Sequence, residues 1–369
     1  MFNTREQLKD TLSKLVSIPS QYPHEQNISL YCEQLLVTRG FKVEKIPLDS
    51  SPDRINLIAT RGEKPKLMFY GHMDTVDTTK SAQDWDTNPF ELTEKENYWY
   101  GLGAADMKGG IAAFLTATAA VDTPAKILLA VDEENISEGA YEVIKKRRDF
   151  FDGIELNISA EPSFTWGPSV LCTGRTGRSV YRVEFTGRAE HIALYKKADD
   201  AIKKLADSVH TFYEKRETLF QSPESMAQYR LLAAETKGMS VSDQAHAEIE
   251  ALLGPKDTTK SALEALQKIT DGEVAIKPRN TPYLQGYKFD SFPYQNEISE
   301  IILRHTGKEM TTQFRTSVGD DNVLAQLGTP VITWGADGIN EHAPNEHVNA
   351  DSLVKITEMY QELLLRLKK

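Results

Sequence analysis

Three apolar runs of strand length in the first half of this chain each end in a histidine or a carboxylate. Lys66-Leu-Met-Phe-Tyr70 runs into Gly71-His72-Met73-Asp74, Lys126–Val131 into Asp132-Glu133-Glu134, and Leu156–Ala160 into Glu161-Pro162. Between the first two, Asp106 stands in the glycine-rich turn Gly101–Gly110, ahead of an alanine-rich helix expected over Ile111–Val121. Successive members lie about thirty residues apart, the length of one strand–helix–strand step. Continuous apolar runs separated by helices predict an α/β fold with a mainly parallel sheet covered on both faces. Strand C-termini in such a sheet lie along one edge, and that edge is where sites are built.

The rest of the chain divides around this pattern. Amphipathic helices are expected at about Thr4–Val16, with Thr4 as its cap, and His24–Arg39; strands follow at Phe41–Ile46 and Arg54–Thr60. A long loop spans Thr75–Tyr100, and a helix is expected over Gly139–Arg148. The character changes after Cys172. Gly174-Arg-Thr-Gly-Arg178 is a turn, and Ser179–Phe185 alternates at period two, as a half-exposed antiparallel strand does. Helices at Ala198–Lys215 and Ser261–Ile269 flank a polar stretch, Gln221–Lys260, with little pattern. The α/β alternation resumes with helix Tyr294–His305, strand Gln313–Thr316, helix Asp321–Leu327, strand Pro330–Trp334 and terminal helix Ser352–Leu367. The expectation is a discontinuous domain of residues 1–173 and 289–369, interrupted by a smaller α+β domain of residues 174–288.

Composition removes several classes of function. A formal charge of −11 over 369 residues argues against binding to nucleic acid or to an anionic membrane surface. No segment approaches membrane-span length, and the polar start lacks a signal-peptide apolar region. Cys32 and Cys172 are the only cysteines, too few for a disulfide framework and suited to a reducing cytoplasm. A metal site in this chain is therefore built from His, Asp and Glu.

The candidates are His72, Asp106, Glu134, Glu161 and, late in the chain, His342. Each alone has an ordinary use. Asp106 can cap a helix, Asp132-Glu133-Glu134 can be an acidic helix start, Glu161-Pro162 a surface turn, and His342 a solvated loop residue. Taken in order at strand ends, two histidines and three carboxylates suit two divalent metals sharing one bridging carboxylate, with zinc, cobalt or manganese preferred. Two such ions hold a water between them and lower its pKa from 15.7 toward about 7. Glu133, beside a ligand but facing elsewhere, would accept the proton and pass it to a leaving amine. Asp74, two residues after His72 on the same strand face, would hydrogen-bond the distal nitrogen of His72 and touch no metal.

These motifs resemble a known family. Gly71-His72-Met73-Asp74-Thr75-Val76-Asp77, Tyr100–Gly110, Asp132-Glu133-Glu134, Ala160-Glu161-Pro162 and His342-Ala-Pro-Asn345-Glu346 are similar to the motifs of the dinuclear zinc deacylases and exopeptidases. That family includes succinyl-diaminopimelate desuccinylase, acetylornithine deacetylase, carboxypeptidase G and aminoacylase. The resemblance covers nearly the whole chain and implies a zinc-exopeptidase-like fold with an inserted lid and dimerisation domain. It implies that Asp106 bridges two metals, one completed by His72 and Glu161, the other by Glu134 and His342. It also implies a cis Asp106–Met107 peptide, Glu133 as general base and Asp74 as orienter of His72. Glu161, rather than Asp, points to the deacylase and carboxypeptidase branch. Gly187-Arg-Ala-Glu190-His191 resembles the segment whose histidine reaches a partner subunit's site and stabilises the oxyanion.

Two departures concern substrate. No strand of the inserted domain clearly supplies the residue that holds a substrate carboxylate; Arg230 and Arg279 are the candidates. The family's Gly-Gly-Thr-Asp turn is altered to Ser317-Val-Gly-Asp-Asp321. The expected activity is hydrolysis of an amide bond in a small N-acyl amino acid or at a peptide C-terminus, by a homodimer. An aminopeptidase or di/tripeptidase is the alternative enzyme. A non-catalytic binding protein on the same scaffold is the remaining alternative, disfavoured because every candidate ligand is present.

Overall fold

The computed structural model describes residues 4–78, 82–236 and 238–368. Met1–Asn3 of the expected helix entry and residues 79–81 of the expected loop lie outside the described residues. The chain forms two compact units, one of Met1–Thr173, Phe289–Phe314 and Gly319–Lys369, the other of Gly174–Lys288 and Arg315–Val318. Arg315–Val318, expected in the catalytic domain, groups with the second unit. The Thr176 N–H donates to the Arg315 carbonyl (3.0 Å) and its hydroxyl to the Ser317 carbonyl (3.2 Å).

In the first unit the sheet runs in the order Lys42–Pro47, Ile55–Arg61, Ala125–Ala130, Leu67–His72, Leu156–Ser159, Val331–Thr333. The last four are mutually parallel, and the first two pair antiparallel at the edge. Every residue of Leu67–His72 and Ala125–Ala130 is buried, which is why these strands read as unbroken apolar runs. Helices Thr4–Val16, Lys108–Ala120 and Ala350–Leu367 pack as one group, while Gln26–Thr38 and Glu138–Lys146 lie on the Lys42–Pro47 and Ile55–Arg61 strands. The Lys108–Ala120 helix comes unusually close to a strand end. A Cβ at Gly110 would stand 1.9 Å from the Ala160 carbonyl oxygen, so only glycine permits this approach.

A small antiparallel sheet, unmarked by any sequence pattern, runs Gly338–Ile339, His347–Asn349, Tyr98–Tyr100, Thr93–Lys95. It lies at the junction of two site segments: its outer hairpin encloses His342, and Tyr98–Tyr100 leads directly into the turn that carries Asp106. Among the described residues no helix is long and apolar enough to cross a membrane.

The second unit is a four-stranded antiparallel sheet, ordered Met226–Ala234, Gln244–Leu253, Gly177–Thr186, Glu273–Ile276. Helices Ala201–Lys215 and Thr259–Gln267 cover it, and Val183, Phe185, Leu205, Phe212, Ile249 and Leu266 form its core. The period-two segment is a central strand, as its alternation indicates. The stretch Gln221–Lys260, expected to be irregular, instead supplies two long strands. Alanine and glutamate dilute the β-branched signal there, and pairing with the Gly177–Thr186 strand overrides weak local preference.

Candidate metal centre

His72 closes its strand with its ring buried. Its Nε2 lies 3.0 Å from Asp106 Oδ1, and its Nδ1 lies 3.0 Å from the main-chain carbonyl oxygen of Asp74. The Asp74 carboxylate, expected from the sequence to make the orienting hydrogen bond, lies 3.7 Å from Nδ1, and the Asp74 main-chain carbonyl accepts that bond instead. That carboxylate has another use: Asp74 Oδ2 accepts the Glu134 N–H at 3.0 Å. Asp74 thus steadies His72 through its main chain and Glu134 through its side chain. Burial first, then neighbouring carboxylates, raises the Asp74 carboxyl to about 7 despite the opposing effect of His72.

Asp106 offers one oxygen to each histidine. His342 Nε2 lies 3.3 Å from Asp106 Oδ2 and 2.9 Å from Glu134 Oε2. The Asp106–Met107 peptide is cis, as the resemblance implies. One ligand atom from each of His72, Asp106 and Glu134 falls within 4.8 Å of the others, a spacing that fits a single cation. Burial alone would raise the Asp106 carboxyl, but hydrogen bonds from His342 and His72 hold it well below the ordinary range. The same bonds to Asp106 and Glu134 push the His342 imidazole up to about 11. His72 is also raised: burial opposes its charge, but Asp106 and Glu133 outweigh burial. A cluster that draws protons onto both histidines is one in which divalent cations would compete for the same nitrogens.

Glu133 is held by the same turn as Glu134, with its carboxyl raised well above the ordinary range by burial and by the charges of Glu161 and Glu134. Glu161, buried just after the Leu156–Ser159 strand, acts electrostatically on Glu133 and on the Tyr70 hydroxyl.

Sequence reading missed the groups that hold these residues in place. Asp132 adopts φ +73°, and its carboxylate accepts from the Glu138 N–H (3.0 Å) and from Arg54 Nη2 (2.8 Å). Arg54 also grips Glu25 through Nε (2.9 Å) and Nη2 (2.5 Å), with the Tyr22 ring 4.5 Å from its guanidinium. Glu25, Arg54 and Asp132 are all buried. Asn56 joins two strands behind the same turn, donating to the Ile46 carbonyl and accepting the Val131 N–H. Arg54 and Glu25 carry no local signal; only the long-range pairing reveals them.

His191, Arg230 and Arg279 belong to the second unit. His191 is exposed, and its Nδ1 accepts the Ala193 N–H at 3.2 Å. Arg230 faces Glu250 (3.3 Å) and Glu248 (3.5 Å) on the adjacent strand, which answer its charge locally. Arg279 donates to the Thr281 hydroxyl and lies 5.1 Å from the Tyr283 ring centre.

A parallel sheet that presents a buried histidine and carboxylates at its strand ends, met by a second histidine from a hairpin loop, is the construction of a metallohydrolase. The model of peptidase family M20/M25/M40 matches residues 68–366, and the chain belongs to that family. It is a metal-dependent hydrolase of amide or peptide bonds. It is 27% identical over 376 residues to succinyl-diaminopimelate desuccinylase of Stutzerimonas stutzeri (strain A1501), covering 96% of each chain. Its fold is similar to that of a tripeptidase of Staphylococcus aureus, with TM-score 0.79 and 19% identity, covering 99% of this chain and 98% of that one. It is also similar to an M20 family metallo-carboxypeptidase of Sulfolobus solfataricus, with TM-score 0.76 and 16% identity over 99% of both chains.

Proposed function

We propose that the chain hydrolyses the amide bond of a small N-acyl amino acid, or the C-terminal bond of a short peptide, at the Asp106-centred cluster. The observation that carries this is the division of Asp106 between two histidines, one oxygen to each. The desuccinylase relative favours an acyl-amino-acid substrate over an aminopeptidase reading.

Two divalent ions, zinc first with cobalt and manganese as alternatives, would be held by Asp106 with His72 and Glu161 on one side and with Glu134 and His342 on the other. When bound, such ions polarise a carbonyl and acidify a water. Glu133 takes the proton from the attacking water onto a carboxylate oxygen and returns it to the leaving nitrogen. Its place beside Glu134, just after the Ala125–Ala130 strand, supports this role. Asp74 keeps His72 and the Glu134 main chain in register without touching an ion.

The working form is proposed to be a homodimer in the cytoplasm, paired through the second unit, with His191 of one copy stabilising the oxyanion in the other. The edge strand Met226–Ala234 supports this pairing, because it exposes Met226, Leu231 and Leu232. The buried free thiols of Cys32 and Cys172 suit a reducing compartment. Arg279 is the proposed holder of the substrate carboxylate.

A metal-loaded screen of N-acetyl and N-succinyl amino acids, dipeptides and tripeptides tests the proposal. Turnover of an acyl amino acid that stops on chelation and returns with zinc, cobalt or manganese is expected. Turnover confined to free-amino tripeptides would move the chain to the peptidase alternative. Activity indifferent to chelation would overturn the mechanism.

A further inference from the structure

The two histidines of the centre are held very differently. His72 is buried at the end of a central strand. His342 sits in the loop of a hairpin at φ +61°, with its side chain 56% exposed and itself outside any helix or strand. Its aim depends on how that loop is tied down.

Four residues on, Glu346 is almost fully buried. Its Oε1 accepts the N–H groups of Ala105 and Asp106, both at 2.9 Å, and its Oε2 accepts the Gly103 N–H at 2.8 Å. The Glu346 carbonyl accepts the Gly101 N–H at 3.1 Å. Gly103, at φ +78°, lets these N–H groups converge; a Cβ there would meet Thr75 Cγ2 at 2.9 Å. Converging main-chain N–H groups form a nest that in other settings takes a bound anion. Here the chain fills it with its own carboxylate, supplied from the His342 loop.

We infer that Glu346 is a positioning residue that locks the His342 loop onto the Asp106 turn, so that the His342 side of the centre depends on it more than the His72 side does. This rests on the dinuclear reading of the site. Glu346 touches no reacting atom; it acts through the Asp106 main chain and through the loop it anchors. Removing its side chain leaves His72 on its strand but takes three hydrogen bonds from the loop that brings His342 to Asp106 and Glu134.

Zinc titration of the whole chain, followed by metal content after dialysis, reads the asymmetry. Wild type should hold two equivalents. Glu346→Ala should hold the first with little change and the second about 10- to 100-fold more weakly. Glu346→Gln, which keeps an acceptor oxygen at the same reach, should restore part of the difference. Equal weakening at both sites, or two equivalents held as in wild type, would overturn the inference. If the alanine variant does not fold, the glutamine variant decides by the same criterion. Amide hydrogen exchange of the metal-free chain reads the lock without any ion. Faster exchange at Gly103, Ala105 and Asp106 in the variant supports it, and unchanged exchange overturns it. A wild type that never takes a second equivalent would count against the dinuclear reading, while the exchange result still decides the role of Glu346.

Discussion

Replacing Arg54 by methionine tests whether the turn that presents Glu133 and Glu134 rests on a buried ion triad. Arg54 makes two hydrogen bonds to Glu25 and one to Asp132, and all three residues are buried. Without Arg54, Asp132 keeps the Glu138 N–H and the Asn135 amide. Glu25 loses both of its side-chain bonds. Breaking a buried ion pair on one side typically costs ~3–5 kcal/mol, and the variant should lose stability of that order.

Urea unfolding followed by tryptophan fluorescence isolates the relevant unit, because Trp85, Trp99, Trp166 and Trp334 all lie in the first one. The double variant Glu25→Gln with Arg54→Met should recover much of the loss. A deficit below about 1 kcal/mol would refute the reasoning.

Other outcomes follow from the same geometry. Glu133→Gln should retain wild-type metal content while turnover falls about 10²- to 10⁴-fold, measured on the best substrate of the screen. Asp74→Ala should weaken metal binding about 10- to 100-fold, with activity recovered at high metal concentration, because it removes the acceptor of the Glu134 N–H without removing a ligand or the main-chain bond to His72. Gly110→Ala should destabilise the first unit by about 1–3 kcal/mol or more in the fluorescence assay, since the new Cβ meets the Ala160 carbonyl oxygen at 1.9 Å. Metal retention on dialysis should fall as pH falls, because Asp106 and Glu134 favour protonated His342 and the ion must displace that proton.

Residues whose placement follows from local pattern were legible in the sequence. His72, Glu134 and Glu161 stand where apolar runs end, and the runs are unbroken because both sheet faces are covered. Asp106 was legible from the glycine-rich turn around it. Residues that act across long separations were not. Nothing near Glu25 or Arg54 indicates that they pair behind Asp132, and Glu346 stood in a recognised motif without a visible partner. The strands Met226–Ala234 and Gln244–Leu253 were hidden because Gln-Ala-His-Ala-Glu-Ile-Glu-Ala carries helix-like composition, and only pairing with neighbours makes it a strand. The Asp74 side chain was assigned the bond that its own carbonyl makes, since alternation along a strand indicates a face and not which atom is nearest.

The most direct test of the central claim is a crystal structure of the zinc-loaded chain with anomalous scattering at the zinc edge. Two peaks about 3.5–4 Å apart are predicted, with Asp106 in contact with both, His72 and His342 on opposite ions, and Asp74 on neither. A single peak, or Asp74 in direct contact with an ion, would contradict it.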